Sequence, residues 1–241
     1  MILTANKTVG EIAAENPSAV RIFEKHGIDY CCGGGHPLEQ ACREKGLSAE
    51  QVLAEVEKAA APEEYRDWTS APLSELIDHI VARHHTYLKE ELPALTQVIG
   101  KVIEAHGTNH GGSLRPLRTT LLGLKDELDL HMMKEEAILF PLIQQMETAE
   151  KSRGALAAAH CGSVNNPIRV MEHEHDSAAA ALREMRQVTT DYTLPLDACN
   201  TYRGLFHRLQ EMEADLHLHI HLENNILFPR ASQLEARLLS Q

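Results

Sequence analysis

The sequence predicts an all-α protein, an antiparallel four-helix bundle preceded by a small helical N-terminal domain, and three observations carry that prediction. Aromatic residues make up 4% of the 241 residues, with one Trp, whereas β-sandwich strands draw on aromatic and β-branched side chains. Four long stretches, roughly 73–106, 113–147, 163–190 and 196–236, keep a helical apolar period and are separated by short connections such as GTNHGGS and TTDYTLP, as antiparallel neighbours require. An internal repeat is also visible. His131-Met-Met-Lys-Glu135-Glu-Ala-Ile-Leu-Phe-Pro141 and His219-Ile-His-Leu-Glu223-Asn-Asn-Ile-Leu-Phe-Pro229 share His-x-x-x-Glu-x-x-Ile-Leu-Phe-Pro, which makes the second and fourth helices equivalent members of a duplicated pair.

Taken in order, residues 1–58 read as the small domain. Val9, Ile12, Val20, Ile22 and Phe23 lie at helical spacings, Gly27 stops that segment, and Cys31-Cys32-Gly33-Gly34-Gly35 reads as a flexible loop with accessible thiols. Pro37 sits where a further helix can begin, and Ser48 with Gln51 resembles a capping box for another. Periodicity lapses over 59–72, between two prolines, which places the linker there and leaves 73–241 for the bundle.

The balance of charge narrows the partners. A formal net charge of −12 disfavours a phosphate backbone, so no nucleic acid is expected. No run of about 18 apolar residues suggests a membrane span, and the first residues lack a cationic, apolar leader, so a cytoplasmic location is expected. Five cysteines in a chain of this size suit reduced thiols better than a disulfide framework, and Cys42, Cys161 and Cys199 carry no motif.

The 15 histidines are the anomaly, and the seam of each helix chooses among them. The second reads Leu114, Leu117, Leu121, Leu124, Leu128, His131, Glu135, Ile138, Leu142; the fourth reads Tyr202, Leu205, Leu209, Met212, Leu216, His219, Glu223, Ile226. One His and one Glu interrupt each apolar stripe. The third, from Ile168 through Met171 to Ala178 and Met185, selects His175, and the first, from Ile77 to Val102, selects His85 over His84. His217 and His221 lie about 200° round the helix from His219 and are set aside with His84 and His173 as solvated, although His84 and Glu174 could support a ligand from behind. His106 shares the first seam but lies about 30 Å along it from His85, and His79, His110, His160 and His207 carry no signal.

Counted from the outer ends of the four stretches, His85, Glu135 and His175 each lie 12 residues in, and Glu223 lies 13 in. An antiparallel bundle therefore brings His85, His131, Glu135, His175, His219 and Glu223 to one level. Carboxylates in a dry core are costly unless compensated, and metal coordination compensates them. Two bridging carboxylates, four imidazoles and one oxo or hydroxo bridge would leave about two octahedral positions open on a pair of ions. Mixed nitrogen and oxygen donors in that number suit iron, with manganese as an alternative, better than tetrahedral zinc.

These residues resemble the hemerythrin-like di-iron proteins that repair iron-sulfur clusters, the RIC family, whose motif pairs His-x-x-x-Glu on two helices with single histidines on the other two. Thr8-Val-Gly-Glu-Ile, and the stretch from Ala19 to Tyr30-Cys-Cys-Gly-Gly-Gly35, are similar to that family's small domain with its Tyr-Cys-Cys-Gly-Gly signature. The resemblance covers nearly the whole chain. It implies a hemerythrin-like bundle holding two non-haem iron ions, with damaged iron-sulfur proteins as partners and iron donation as the mode of repair. Cys31 and Cys32 then become candidate thiols for iron transfer or redox exchange. Two other readings of the same site are an oxygen or nitric oxide sensing module and a nitric oxide reductase, and whether the protein is an enzyme stays open, as does a monomeric or homodimeric state.

Overall fold

The computed structural model describes residues 5–59, 66–152 and 162–240, and helix is the dominant secondary structure there, beside one isolated bridge between Thr8 and Pro37. The all-α expectation holds. Cys161 and His160 lie outside the described residues, as do residues 60–65 of the expected linker. The chain forms two compact units: Met1–Asp78 with Ile143–Val164 and His217–Gln241, and His79–Leu142 with Asn165–Leu216.

In the first unit, α1 (Val9–Glu15) begins at a capping box in which Thr8 and Glu11 exchange backbone and side-chain hydrogen bonds. α2 (Ser18–His26) follows Pro17 and ends at Gly27, whose φ of 62° is the left-handed cap that favours glycine. The single N-terminal segment expected from spacing is thus two helices, because Pro17 has no N–H to continue the first. α3 (Leu38–Glu44) starts after Pro37, and α4 (Ala49–Lys58) starts after Ser48, whose hydroxyl accepts from Gln51 N–H. Val9, Ile12, Phe23, Tyr30, Leu38, Val52 and Val56 close a core for these four helices.

The same unit contains two helix starts fastened by glutamates. Glu147, in α7 (Phe140–Ser152), accepts from Leu73 N–H at 2.7 Å and from the Ser74 hydroxyl at 2.7 Å, capping α5 (Leu73–Ile80). Glu235, in α10 (Phe228–Leu239), accepts from Val164 N–H at 2.7 Å and from the Ser163 hydroxyl at 2.6 Å, just before α8 (Asn165–Thr189). Glu147 and Glu235 each stand 12 residues beyond the glutamate of their repeat, so the duplication extends to the caps. Arg230 donates to the carbonyls of Trp68 and Ala71 at 2.7 and 2.6 Å, tying down the described end of the expected linker.

In the second unit α6 (Thr86–Lys134) is helical through all 49 residues, including the GTNHGGS segment expected to be a connection. Straight, it would span about 74 Å. Yet Glu136, just past its end, bonds Lys89 near its start at 2.6 Å and His85 at 2.7 Å. The helix therefore folds back on itself near His110, where Gly107, Gly111 and Gly112 provide backbone freedom, and no residue of the turn adopts a left-handed φ. The expected reversal is present, but it retains helical geometry. α8 and α9 (Asn200–Leu222) bury the seams read from sequence, Ile168, Met171, Ala178, Leu182 and Met185 on one and Tyr202, Leu205, Leu209, Met212 and Leu216 on the other.

Three five-residue π turns interrupt the helices: Val81–His85, Glu135–Leu139 and Glu223–Leu227. The last two have a cause in the repeat. Pro141 and Pro229 lack an N–H and crowd the carbonyl four residues back, so the helix widens, and Phe140 and Phe228 donate instead to the carbonyls of Glu135 and Glu223. The extra residue shifts the seam. Ile138, expected inside, is 53% exposed, while Leu139 and Ile143 are buried in its place.

Candidate metal centre

A π turn widens one helical turn, and each of the three lies at a position selected from sequence. The first ends on His85, the second opens on Glu135 and the third opens on Glu223. His85 Nε2 lies 3.3 Å from Glu135 Oε2, and His131 Nε2, one turn before Glu135, lies 3.4 Å from the same oxygen. His175 Nε2 is 3.1 Å from His131 Nε2. In the other copy of the repeat, His219 Nε2 is 3.1 Å from Glu223 Oε1. His85, Glu135, His219 and Glu223 are fully buried, and His131 and His175 are nearly so.

Their ligand atoms form two sets of four, each within 4.8 Å: His85, Glu135, His219 and Glu223, and His131, Glu135, His175 and Glu223. Both carboxylates belong to both sets. All six residues chosen from sequence are thereby brought together. The chemistry of the donors fits a pair of transition-metal ions: neighbouring ligands around a metal with bonds of about 2.1 Å sit roughly 3 Å apart, close to the separations here.

Carboxylates behind the imidazoles set their orientation. Glu136 Oε1 is 2.7 Å from His85 Nδ1, and Glu174 Oε2 is 2.9 Å from His131 Nδ1. Burial pushes both glutamates up, but Lys89 and His85 on Glu136, and Lys134 and His131 on Glu174, outweigh it and hold both below the usual carboxylate range. An ionised carboxylate only accepts, so Nδ1 carries the proton and the Nε2 lone pair faces inward, the arrangement a metal ligand needs. Glu174 was anticipated in this supporting role. Glu136 was missed, although it follows the repeated Glu directly.

Two of the set-aside histidines are not solvated. His84 is 1% exposed, with Nδ1 3.1 Å from Asp215 Oδ1, because the π turn rotates two consecutive residues inward. His221 is 2% exposed and packs edge-on against Tyr30, ring centroids 5.5 Å apart; burial pushes it down to about 4. His217 is half-buried against the same ring at 6.3 Å, and His173 is exposed as expected.

The cysteine loop differs from expectation as well. Asp29 Oδ1 accepts from the N–H groups of Cys31 and Cys32 at 3.1 and 3.0 Å and from the Cys31 thiol at 3.3 Å. Cys31 is 5% exposed, and its contact with Cys32, reinforced by burial, pushes its thiol up, so it is a protonated, covered group. Cys32 is the more accessible of the two. The loop is also held in place. Asn225 Nδ2 donates to the Tyr30 carbonyl at 3.0 Å, and Asn224 Nδ2 reaches the Cys31 carbonyl at 3.4 Å. The glycines permit this approach: a Cβ on Gly34 would stand 2.7 Å from Asn225 Oδ1 and 2.7 Å from the Tyr30 carbonyl, and one on Gly10 only 2.1 Å from Asn225 Oδ1.

Known proteins share this arrangement of domains. Residues 5–60 match the family model described as a domain of unknown function, DUF542, and residues 76–231 match the hemerythrin HHE cation-binding domain. The iron-sulfur cluster repair protein YtfE of Pectobacterium atrosepticum is 41% identical over 231 residues, covering 94% of this chain and 96% of its own length. Its counterparts in Edwardsiella ictaluri and Escherichia coli O8 are 42% and 40% identical, each with the same coverage. With a buried His and Glu donor set carried on a duplicated helix pair, and a matched cysteine-bearing domain before it, the chain belongs to the hemerythrin HHE family, in the branch that includes these cluster repair proteins.

Proposed function

We propose that the protein is a di-iron protein that repairs iron-sulfur clusters damaged by nitrosative or oxidative stress, by donating iron to damaged iron-sulfur proteins in the cytoplasm. The observation that carries the reading is the sharing of two fully buried carboxylates, Glu135 and Glu223, between two sets of imidazole donors. The similarity to cluster repair proteins over 94% of the chain supports the same reading. Among the described residues no helix is long and apolar enough to cross a membrane.

In this proposal Glu135 and Glu223 would contribute to holding both ions of a pair, one together with His85 and His219 and the other together with His131 and His175. Bound there, two non-haem iron ions would supply one-electron redox chemistry and, as the ferrous form, iron that these donors would hold less tightly. Glu136 and Glu174 keep the Nδ1 protons of His85 and His131 in place, so both rings present Nε2 throughout. Asn224 and Asn225, directly after Glu223, hold the cysteine loop beside the third π turn, where the Cys32 thiol can receive a cation.

Recovery of a damaged iron-sulfur enzyme, measured with iron-loaded and metal-free protein, tests the function. Recovery only with the iron-loaded form is expected, and equal recovery overturns it. Replacing both Cys31 and Cys32 with Ser should leave the iron absorption nearly unchanged while slowing repair. Loss of iron from that variant would make the thiols resident ligands instead.

A further inference from the structure

At the reversal of α6, about 30 Å along the helix from His85, a second cluster of ligating side chains stands apart from the buried six. His106 and His110 are one turn apart on one face of the helix, and Asp197 lies in the connection before α9; their ligand atoms are all within 4.8 Å of one another. His110 Nε2 is 2.7 Å from Asp197 Oδ1. Cys199, two residues on, caps α9 with its carbonyl and hydrogen-bonds His106 through its side chain.

We propose that His106, His110, Asp197 and Cys199 form a second metal site, which takes one divalent cation of the zinc class. His-x-x-x-His on a helix is a recurrent chelating spacing for such ions, and two imidazoles, a carboxylate and a thiolate make the four ligands of a tetrahedral centre. The mixture of nitrogen and sulfur donors disfavours magnesium and calcium, which take oxygen ligands. Tetrahedral ligands around zinc lie about 3.4 Å apart, so rotamer adjustments of an ångström or so close the set.

Its surroundings are built to hold these side chains. Tyr202, 2% exposed, places its ring 5.4 Å from His106 and 6.2 Å from His110, and Phe206 braces the tyrosine edge-on at 4.9 Å. The Cys199 sulfur accepts from the Tyr202 N–H at the start of α9 and hydrogen-bonds His106, so it already faces the cluster. A surface ion pair between His110 and Asp197 would contribute little by itself and leaves His106 and Cys199 unexplained. A bound cation would clasp the fold-back of α6 to the start of α9.

The test is an anaerobic titration of the iron-loaded protein with cobalt(II), followed by absorption. One further equivalent per chain, with thiolate-to-cobalt charge-transfer absorption, is expected. His110→Ala should lose it, and Cys199→Ser should bind more than about tenfold more weakly and without that absorption, while both keep their iron and their helical circular dichroism. No further equivalent in the wild-type protein, or cobalt binding by His110→Ala as tight as wild type, overturns the proposal.

Discussion

The two copies of His-x-x-x-Glu-x-x-Ile-Leu-Phe-Pro share their ligands, their π turn and the proline that causes it, yet their surroundings differ. In the first copy Met133 and Ile138 are 55% and 53% exposed; their counterparts His221 and Ile226 are 2% and 4% exposed. The difference begins right after the glutamate. Glu136 turns toward His85 and orients its ring, whereas Asn224 and Asn225 turn toward the carbonyls of Tyr30 and Cys31. One duplicated scaffold thus keeps its donor chemistry and diverges beside it, with the first copy supporting the centre and the second anchoring the cysteine loop.

The largest expected effect concerns what the copies share. Glu135→Ala and Glu223→Ala should each lose nearly all metal, since each carboxylate belongs to both sets of donors, whereas His85→Ala should retain part of it and His217→Ala nearly all. Metal content per chain decides this, and depletion in His217→Ala comparable to that in Glu223→Ala would break the equivalence of the copies. The next effect concerns what they do not share. Glu136→Gln should weaken iron retention about 10- to 100-fold, and Asn225→Ala should leave it unchanged but speed alkylation of the Cys31 and Cys32 thiols. If both variants lost iron equally, the division of roles would be wrong.

Much of this was legible beforehand because the donor residues interrupt apolar seams, and an interruption by His and Glu in a Leu-rich stripe stands out. The π turns were not legible, since a period of 3.6 residues assumes no insertion. That is why the seam runs to Leu139 rather than Ile138, and why His84 is buried next to His85. His221 escaped for another reason: the ring of Tyr30, in the loop after α2, packs against it, and helix periodicity registers only a helix's own faces. Cys199 and His110 gave no signal because their cluster joins a helix reversal to a distant connection.

A smaller effect is expected at the loop. Gly34→Ala should cost about 1–3 kcal/mol through collision with Asn225 and the Tyr30 carbonyl, read as a lower melting temperature with iron content unchanged. The smallest lies in the caps. Burial raises Glu147, but bonds from Ser74, Lys151 and the Leu73 N–H outweigh it and hold the carboxyl below its usual range. A carboxyl lowered on folding stabilises above its unfolded pKa, and that contribution is lost as pH falls through the folded value. Glu147→Gln should therefore remove on the order of 1 kcal/mol at neutral pH and flatten the acid side of the stability profile, as chemical denaturation at several pH values would show.

The central claim, that the two copies jointly hold a pair of irons, is tested most directly by metal analysis of the purified protein together with its absorption spectrum. About two irons per chain, with the absorption of a bridged ferric pair, are expected from this donor set. One ion per chain at these six residues, or zinc in place of iron, would contradict it.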